Sequence, residues 1–253
     1  MDKDESALAP ALDFVILGAQ KSASTYLHRC LAEHPQVEMP SGESRHFEDP
    51  YYARGAPAEL SALFGPRAES IRRGIKRPDY LARPAVAGRL AHHLPTARLL
   101  VVLREPIGRA VSAYFDYVRL GFAPLEHVDD AFEHLLDDSM QRRYPRVGDV
   151  LDYGLYGKHL SRYLGVFPRS QLLVLVQDEV VADPLRELGS VFRFLDVDDT
   201  FRPPGLRGRS NTSVYSPTRL RLLRARNRWQ FSYAPDLSRR EPRTASALGL
   251  AWV

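Results

Sequence analysis

Two short, fully apolar runs, each ending in a turn that feeds a helical pattern, constrain this chain most. The first is Phe14-Val-Ile-Leu17, stopped by Gly18 and followed by a small, hydroxyl-rich turn and a helical pattern through Leu27, Cys30 and Leu31. The second is Arg98-Leu-Leu-Val-Val-Leu103, followed by Arg104-Glu-Pro106 and a helical pattern at Ile107, Ala110, Val111, Tyr114, Phe115 and Val118. Unbroken aliphatic strands without alternation are strands buried on both faces, the signature of a parallel sheet covered by helices. Further elements fit that scheme. A short strand is expected within 71–76, ended by Arg77-Pro78, and a buried strand at Gln171–Val176. Helices are expected over Ala85–His93, Tyr153–Phe167, from Asp183-Pro184 to about Leu195, and from Pro217 to about Trp229. Asp183 followed by proline is an N-cap with proline at the first helical position. The expected fold is α/β, with a mainly parallel central sheet flanked by helices in three layers. Residues 1–12 read as a flexible tail and 13–253 as a single domain, for which 253 residues suffice.

The first strand, its tight turn and the following helix N-terminus converge free backbone N–H groups on one spot, which is an anion cradle. Lys21 adds a point charge there, and the simplest ligand is a phosphorylated nucleotide. The loop Gly18-Ala-Gln-Lys21-Ser22-Ala23-Ser24-Thr25 lacks the Gly-Lys-Ser/Thr ending of a Walker A loop and does not fit Gly-x-Gly-x-x-Gly. The same turn without a ligand would be a plain connector. The second basic element, Arg104, stands at the carboxyl end of another strand, the edge where open α/β sheets bind ligands.

Composition narrows the remaining classes. Apolar residues make up 44% and charged residues 26% of the chain, ordinary for a globular protein. No apolar run approaches the length of a transmembrane helix. Met1-Asp-Lys-Asp-Glu5 does not resemble a secretory signal, and the single cysteine, Cys30, suits a helix core position, so a cytoplasmic location is expected. Lysine occurs only at Lys3, Lys21, Lys76 and Lys158, the other basic residues being arginine. No arginine run is interleaved with stacking aromatics, so nucleic acid is not an expected partner. Adjacent His92 and His93 cannot face one ion from a helix, and no metal site is expected.

Taken together, Gly18-Ala-Gln-Lys21-Ser-Ala-Ser-Thr25 and Leu99-Leu-Val-Val-Leu-Arg104-Glu-Pro-Ile-Gly-Arg109-Ala-Val-Ser112-Ala-Tyr114 closely resemble the two nucleotide signatures of sulfotransferases that use 3′-phosphoadenylyl sulfate (PAPS). The branch most similar holds the heparan sulfate sulfotransferases and their soluble bacterial relatives, and the likeness spans about residues 13–220. The resemblance implies that Lys21, Ser22, Ala23, Ser24, Thr25 and Tyr26 hold the 5′-phosphosulfate. It also implies that Lys21 neutralises the leaving phosphate and that Arg104 and Ser112 hold the 3′-phosphate. The fold it implies is P-loop-like, and PAPS would be the co-substrate, released as adenosine 3′,5′-bisphosphate. Gly42-Glu43-Ser-Arg45-His46-Phe47 resembles the family's Lys-Glu-x-Arg/His-Phe-Phe stretch, which makes Glu43 the general base, with His46 the alternative. Ile75-Lys76-Arg77-Pro78-Asp79-Tyr80 resembles Glu-Lys-x-Pro-x-Tyr of the acceptor cleft, leaving Lys76 to contact sulfuryl oxygens or an acidic acceptor. Arg207-Gly-Arg209-Ser-Asn211 is similar to the family's late basic loop, with Arg209 the expected phosphate contact. Tyr156 and His159 fall in a helix the family shares, as core or cleft residues. The sequence departs from the family at Gly42, Glu48 and Ile75, and it lacks the cysteines of the animal enzymes' disulfide hairpin. The implied activity is sulfuryl transfer to a hydroxyl of a carbohydrate or small-molecule acceptor. The alternatives are a small-molecule or nucleotide kinase and a nucleotide-binding module without catalysis.

Overall fold

A computed structural model describes residues 12–66, 68–207, 216–235 and 240–243. The elements run β1 (Phe14–Gly18), α1 (Ser24–Ala32), β2 (Val37–Glu38), β3 (Arg72–Lys76), α2 (Val86–His93), β4 (Arg98–Leu103), α3 (Pro106–Leu120), α4 (Val128–His134) and α5 (Asp138–Arg143). They continue with α6 (Asp149–Asp152), α7 (Tyr156–Leu164), β5 (Leu172–Val176), α8 (Gln177–Ala182), α9 (Pro184–Leu195), α10 (Pro217–Gln230), β6 (Phe231–Tyr233) and β7 (Arg240–Pro242). The described chain divides into two compact units. One holds 12–105 with 155–207, the other 106–154 with 216–243.

The first unit is built on a five-stranded sheet in the order β2-β3-β1-β4-β5, with every neighbouring pair parallel. All five residues of β1 are buried, as its unbroken apolar run requires, and Val15 lies opposite both Ile75 and Leu99. Side chains alternate across the pleat. Val15, Leu17, Leu99 and Val101 pack with α2 (Val86, Leu90) and with Tyr163 of α7. Phe14, Ile16, Leu100 and Val102 pack with α1 (Leu27, Cys30, Leu31) and α9 (Leu188, Val191, Phe192). Two helical layers therefore enclose one sheet, the expected three-layer α/β arrangement. Gly74 is glycine because a Cβ there would sit 2.2 Å from the Phe14 ring on the next strand. Asp183 caps α9 by accepting from the Arg186 amide at 3.1 Å, with proline at the first turn. Leu12, read from sequence as the end of the tail, is buried in the first cluster.

The second unit gathers Tyr114, Tyr117 and Val118 of α3, Val147, Val150 and Leu220 of α10 into its own cluster. Arg109 of α3 is fully buried, and its Nη2 donates to the Val150 carbonyl. Asn227 Nδ2 of α10 donates to the Arg119 carbonyl at 3.0 Å. β6 and β7 form an antiparallel pair; like β2, they were not expected, because two or three residues carry no readable period. The stretch from Met39 to Pro66 contains 3₁₀ turns at Tyr52–Arg54 and Ala56–Leu63. Expected helix ends shorten by one to three residues, as at α7, which runs Tyr156–Leu164 rather than Tyr153–Phe167.

Candidate active site

Because β1, β3 and β4 are parallel, their carboxyl ends at Gly18, Lys76 and Leu103 fall on one edge of the sheet. That edge collects Lys21, Lys76 and Arg104 from three separate stretches of sequence.

The loop after β1 is shaped by its backbone. Gly18 has φ +141°, and a Cβ there would lie 2.5 Å from the Pro78 carbonyl oxygen, so no other residue fits without moving the backbone. Lys21 and Ala23 adopt left-handed φ values of 65° and 66°. Such alternation turns successive N–H groups toward one side, a nest for an anion. Ala23 is also the N-cap of α1 and supplies no side-chain cap. Ser22 is fully buried between these two residues, and its Oγ has no hydrogen-bond partner among the described residues. A buried hydroxyl without a partner is costly and rare, so it marks a place where a ligand oxygen is expected. Ser24 is buried at the start of α1, and Tyr26 OH donates to the Leu206 carbonyl at 3.0 Å. The same face of α1 holds Gly205 between Arg29, which donates to its carbonyl at 2.9 Å, and Glu33, which accepts its amide at 2.8 Å. The approach to the late basic loop is thereby fixed to α1. Arg209 itself lies outside the described residues.

From β4, the Arg104 Nη1 donates to the Lys21 carbonyl at 3.4 Å, and Arg104's own carbonyl accepts from Tyr156 OH at 2.8 Å. The two nucleotide signatures thus meet at Lys21 and Arg104. Ser112 is buried on α3, in the second unit. Of the two α7 residues left open by sequence, Tyr156 fixes the Arg104 turn. His159 is fully buried beside Arg162, its Nδ1 lying 3.1 Å from the guanidinium.

From β3, Lys76 is buried and its Nζ donates to Thr25 Oγ1 at 3.1 Å, while lying 3.3 Å from Glu43 Oε1. Glu43 also accepts from Arg77 Nη1 at 2.6 Å. The Ser44 amide donates to the Lys76 carbonyl at 3.0 Å, which ties the Glu43 loop to the end of β3. His46 sits elsewhere in that loop, its Nδ1 2.6 Å from Ser44 Oγ, and burial holds its pKa below the ordinary 6.5. Ile75, at the family's glutamate position, is a core residue with no exposure.

Sequence reasoning missed the clamp around Arg77. Its guanidinium meets Glu48 at 2.8 and 3.0 Å, Asp79 at 3.0 Å and Glu43 at 2.6 Å. Burial opposes the Arg77 charge, yet Asp79, Glu48 and Glu43 together hold its pKa above the ordinary value. Burial likewise raises the Glu48 carboxyl, against the pull of Arg77. Glu48 stands where the family has an aromatic, so the departure noted in sequence is one half of a charge pair. His28 on α1 was also missed. Its Nε2 lies 3.1 Å from the Pro40 carbonyl, and burial, followed by the Lys76 charge, lowers its pKa. Among the described residues no group of His, Cys, Asp or Glu is arranged to hold a metal, and no helix is long and apolar enough to cross a membrane.

A parallel α/β sheet whose first strand ends in an anion nest, with an arginine from a neighbouring strand end against it, defines a nucleotide-binding protein of P-loop-like architecture. Residues 12–203 match the sulfotransferase domain model, and the chain belongs to that family. It is 29% identical over 181 residues to human heparan sulfate glucosamine 3-O-sulfotransferase 6, covering 72% of this chain and 51% of the relative. It is 26% identical over 205 residues to a bifunctional heparan sulfate N-deacetylase/N-sulfotransferase 1 of Caenorhabditis briggsae, covering 74% of this chain and 23% of the relative. The chain therefore spans between 23% and 51% of the length of these curated relatives. A sulfotransferase from Alicyclobacillus acidocaldarius superimposes with a TM-score of 0.66 at 26% identity, over 85% of this chain and 92% of that one. A mouse sulfotransferase, SULT7A1, solved with PAP, shares the fold at a TM-score of 0.50 and 18% identity, over 87% of this chain and 64% of that one.

Proposed function

We propose that the protein transfers a sulfuryl group from PAPS to a hydroxyl of a carbohydrate or small-molecule acceptor. The observation that carries this reading is the line Thr25–Lys76–Glu43, with separations of 3.1 and 3.3 Å. It joins the anion loop to a carboxylate that is 38% exposed and so open to an incoming hydroxyl. The residues present suit the donor, since the Ser22 hydroxyl, without a partner among the described residues, and the left-handed loop offer the contacts a terminal phosphosulfate takes. PAPS supplies an activated sulfur with adenosine 3′,5′-bisphosphate as leaving group.

In this reading Glu43 accepts the acceptor's hydroxyl proton as the acceptor oxygen forms its bond to sulfur. Lys21, with the loop amides and Ser22, Ser24 and Thr25, meets the negative charge that gathers on the phosphate oxygen as the S–O bond breaks. Lys76 bridges the two sides, and its ammonium faces both the base and the sulfuryl position. Arg104, Ser112 and Arg209 are assigned to the 3′-phosphate. His46 is the secondary candidate for the base, and its bond to Ser44 rather than to Lys76 places it second. A carbohydrate acceptor is favoured by the heparan sulfate relatives, and a cytoplasmic setting agrees with the single, buried and unpaired Cys30.

Mass spectrometry of an acceptor panel incubated with PAPS should reveal a product 80 Da heavier, the mass of one sulfuryl group. Glu43→Gln should lower transfer by about 10²- to 10⁴-fold, measured on protein whose circular dichroism is unchanged. Lys21→Ala should depress turnover more than acceptor binding. Phosphoryl transfer from ATP, or nucleotide binding without transfer to any acceptor, would replace this reading by the kinase or the non-catalytic alternative.

A further inference from the structure

The arginines of α10 stand apart from those that are ion-paired in the rest of the described chain. Arg73, Arg77, Arg89, Arg98, Arg146 and Arg193 each pair with a carboxylate. α10 carries Arg219, Arg221, Arg224, Arg226 and Arg228 with no acidic residue. Among the described residues, none of these five forms an ion pair.

Their placement is ordered. Successive residues turn by about 100° around a helix. Leu220 and Asn227 are buried and mark the inner pole of α10. The opposite pole carries Leu222, Ala225 and Trp229, with Leu222 68% and Trp229 60% exposed. Arg221 and Arg228 flank that pole on one side, Arg219 and Arg226 on the other, and all four are exposed. Each pair is two turns apart, about 10 Å along the axis. An apolar ridge is thus framed by two cationic rails.

We propose that this face of α10 docks the protein on an anionic lipid surface. Leu222, Ala225 and Trp229 enter the headgroup–acyl boundary, and the four arginines meet lipid phosphates at the waterline. The position of the charges favours this partner. A soluble polyanion or a nucleic acid would be met by charge at the outermost pole, whereas here the pole is apolar and the charge lies at the helix equator, as in helices that rest in a membrane interface. Pairing α10 with its own copy would hide the ridge but set arginine rails against arginine rails. The proposal concerns the second unit alone and stands independently of the assigned chemistry.

Trp229 and Trp252 are the two tryptophans of the sequence, so Trp252→Phe leaves Trp229 as sole reporter in the full chain. With vesicles of equal parts phosphatidylglycerol and phosphatidylcholine, Trp229 emission should move to shorter wavelength and the protein should sediment with the vesicles. Pure phosphatidylcholine should give neither effect, and high salt should release the protein. Arg221→Gln with Arg228→Gln, and separately Leu222→Ser with Trp229→Ser, should each lower the bound fraction by about tenfold or more. Unchanged circular dichroism would show that both pairs still fold. Absence of sedimentation with anionic vesicles overturns the proposal. So does a Trp229 shift produced by dextran sulfate but not by vesicles, which would mark a polyanion surface. A dimer on sizing that Leu222→Ser with Trp229→Ser converts to monomer would mark a self-interface and overturn it equally.

Discussion

His28 and His46 show how single residues near the site register its burial. Both have pKa values below the ordinary 6.5, in each case chiefly because burial disfavours the charged ring. The unfolded chain then takes up protons at a higher pH than the folded one, so stability rises with pH through the window between the two values. Stability contributed by these residues should be present above about pH 6.5 and be lost as pH falls through their lower folded values. Urea unfolding from pH 7 to pH 5 should show that decline, and His28→Gln with His46→Gln should flatten it. At the same scale, Lys21, Lys76 and Arg104 could be picked from the chain because lysines and strand-end charges are few, whereas Glu43 was legible only through the resemblance of its loop to the sulfotransferase motif. Arg77 stood in the same motif, yet nothing in the sequence showed that Glu48 and Asp79 would close around it. His28 was equally hidden, since a lone histidine on a helix reads as an ordinary surface residue.

The β3 end and the loop of residues 42–48 behave as one element, and the charge clamp decides which of its members serve stability. Glu48 and Asp79 are nearly buried, with side-chain exposures of 10% and 7%, whereas Glu43 is 38% exposed. Removing Arg77 takes the clamping guanidinium away from two buried carboxylates. Arg77→Ala should therefore destabilise the fold by about 3–5 kcal/mol, measured by urea denaturation. Arg77→Ala with Glu48→Gln should recover part of that loss, because one of the stranded charges is gone. The longer elements are legible in the sequence. β1, β4, β5, α2, α3, α9 and α10 each announce themselves by an apolar run, a 3.6-residue period or a cap such as Asp183-Pro184. β2, β6 and β7 did not, because such short strands exist only through the partner they pair with.

For the molecule as a whole, ligand binding gives the most direct measurement. A nucleotide that binds only the folded form raises stability by about 2.7 kcal/mol at one hundred times its dissociation constant. Adenosine 3′,5′-bisphosphate should raise the melting temperature, and ATP with Mg²⁺ at equal concentration should raise it less; the reverse order would end the sulfotransferase assignment. Membership of the sulfotransferase family agrees with a sheet whose parallel order puts the strand ends carrying both signatures on one edge. By itself the sequence determined the layered α/β class, the two signatures and the set of charged residues at the strand ends, because hydrophobic period and turn chemistry are local properties. Tertiary structure alone decided that Lys76 reaches Thr25 and Glu43, that Arg77 is locked by Glu48 and Asp79, and that Ser22 is buried without a partner among the described residues. Those facts depend on strand order and register, which bring together residues as far apart as Thr25 and Lys76, and no local pattern encodes them.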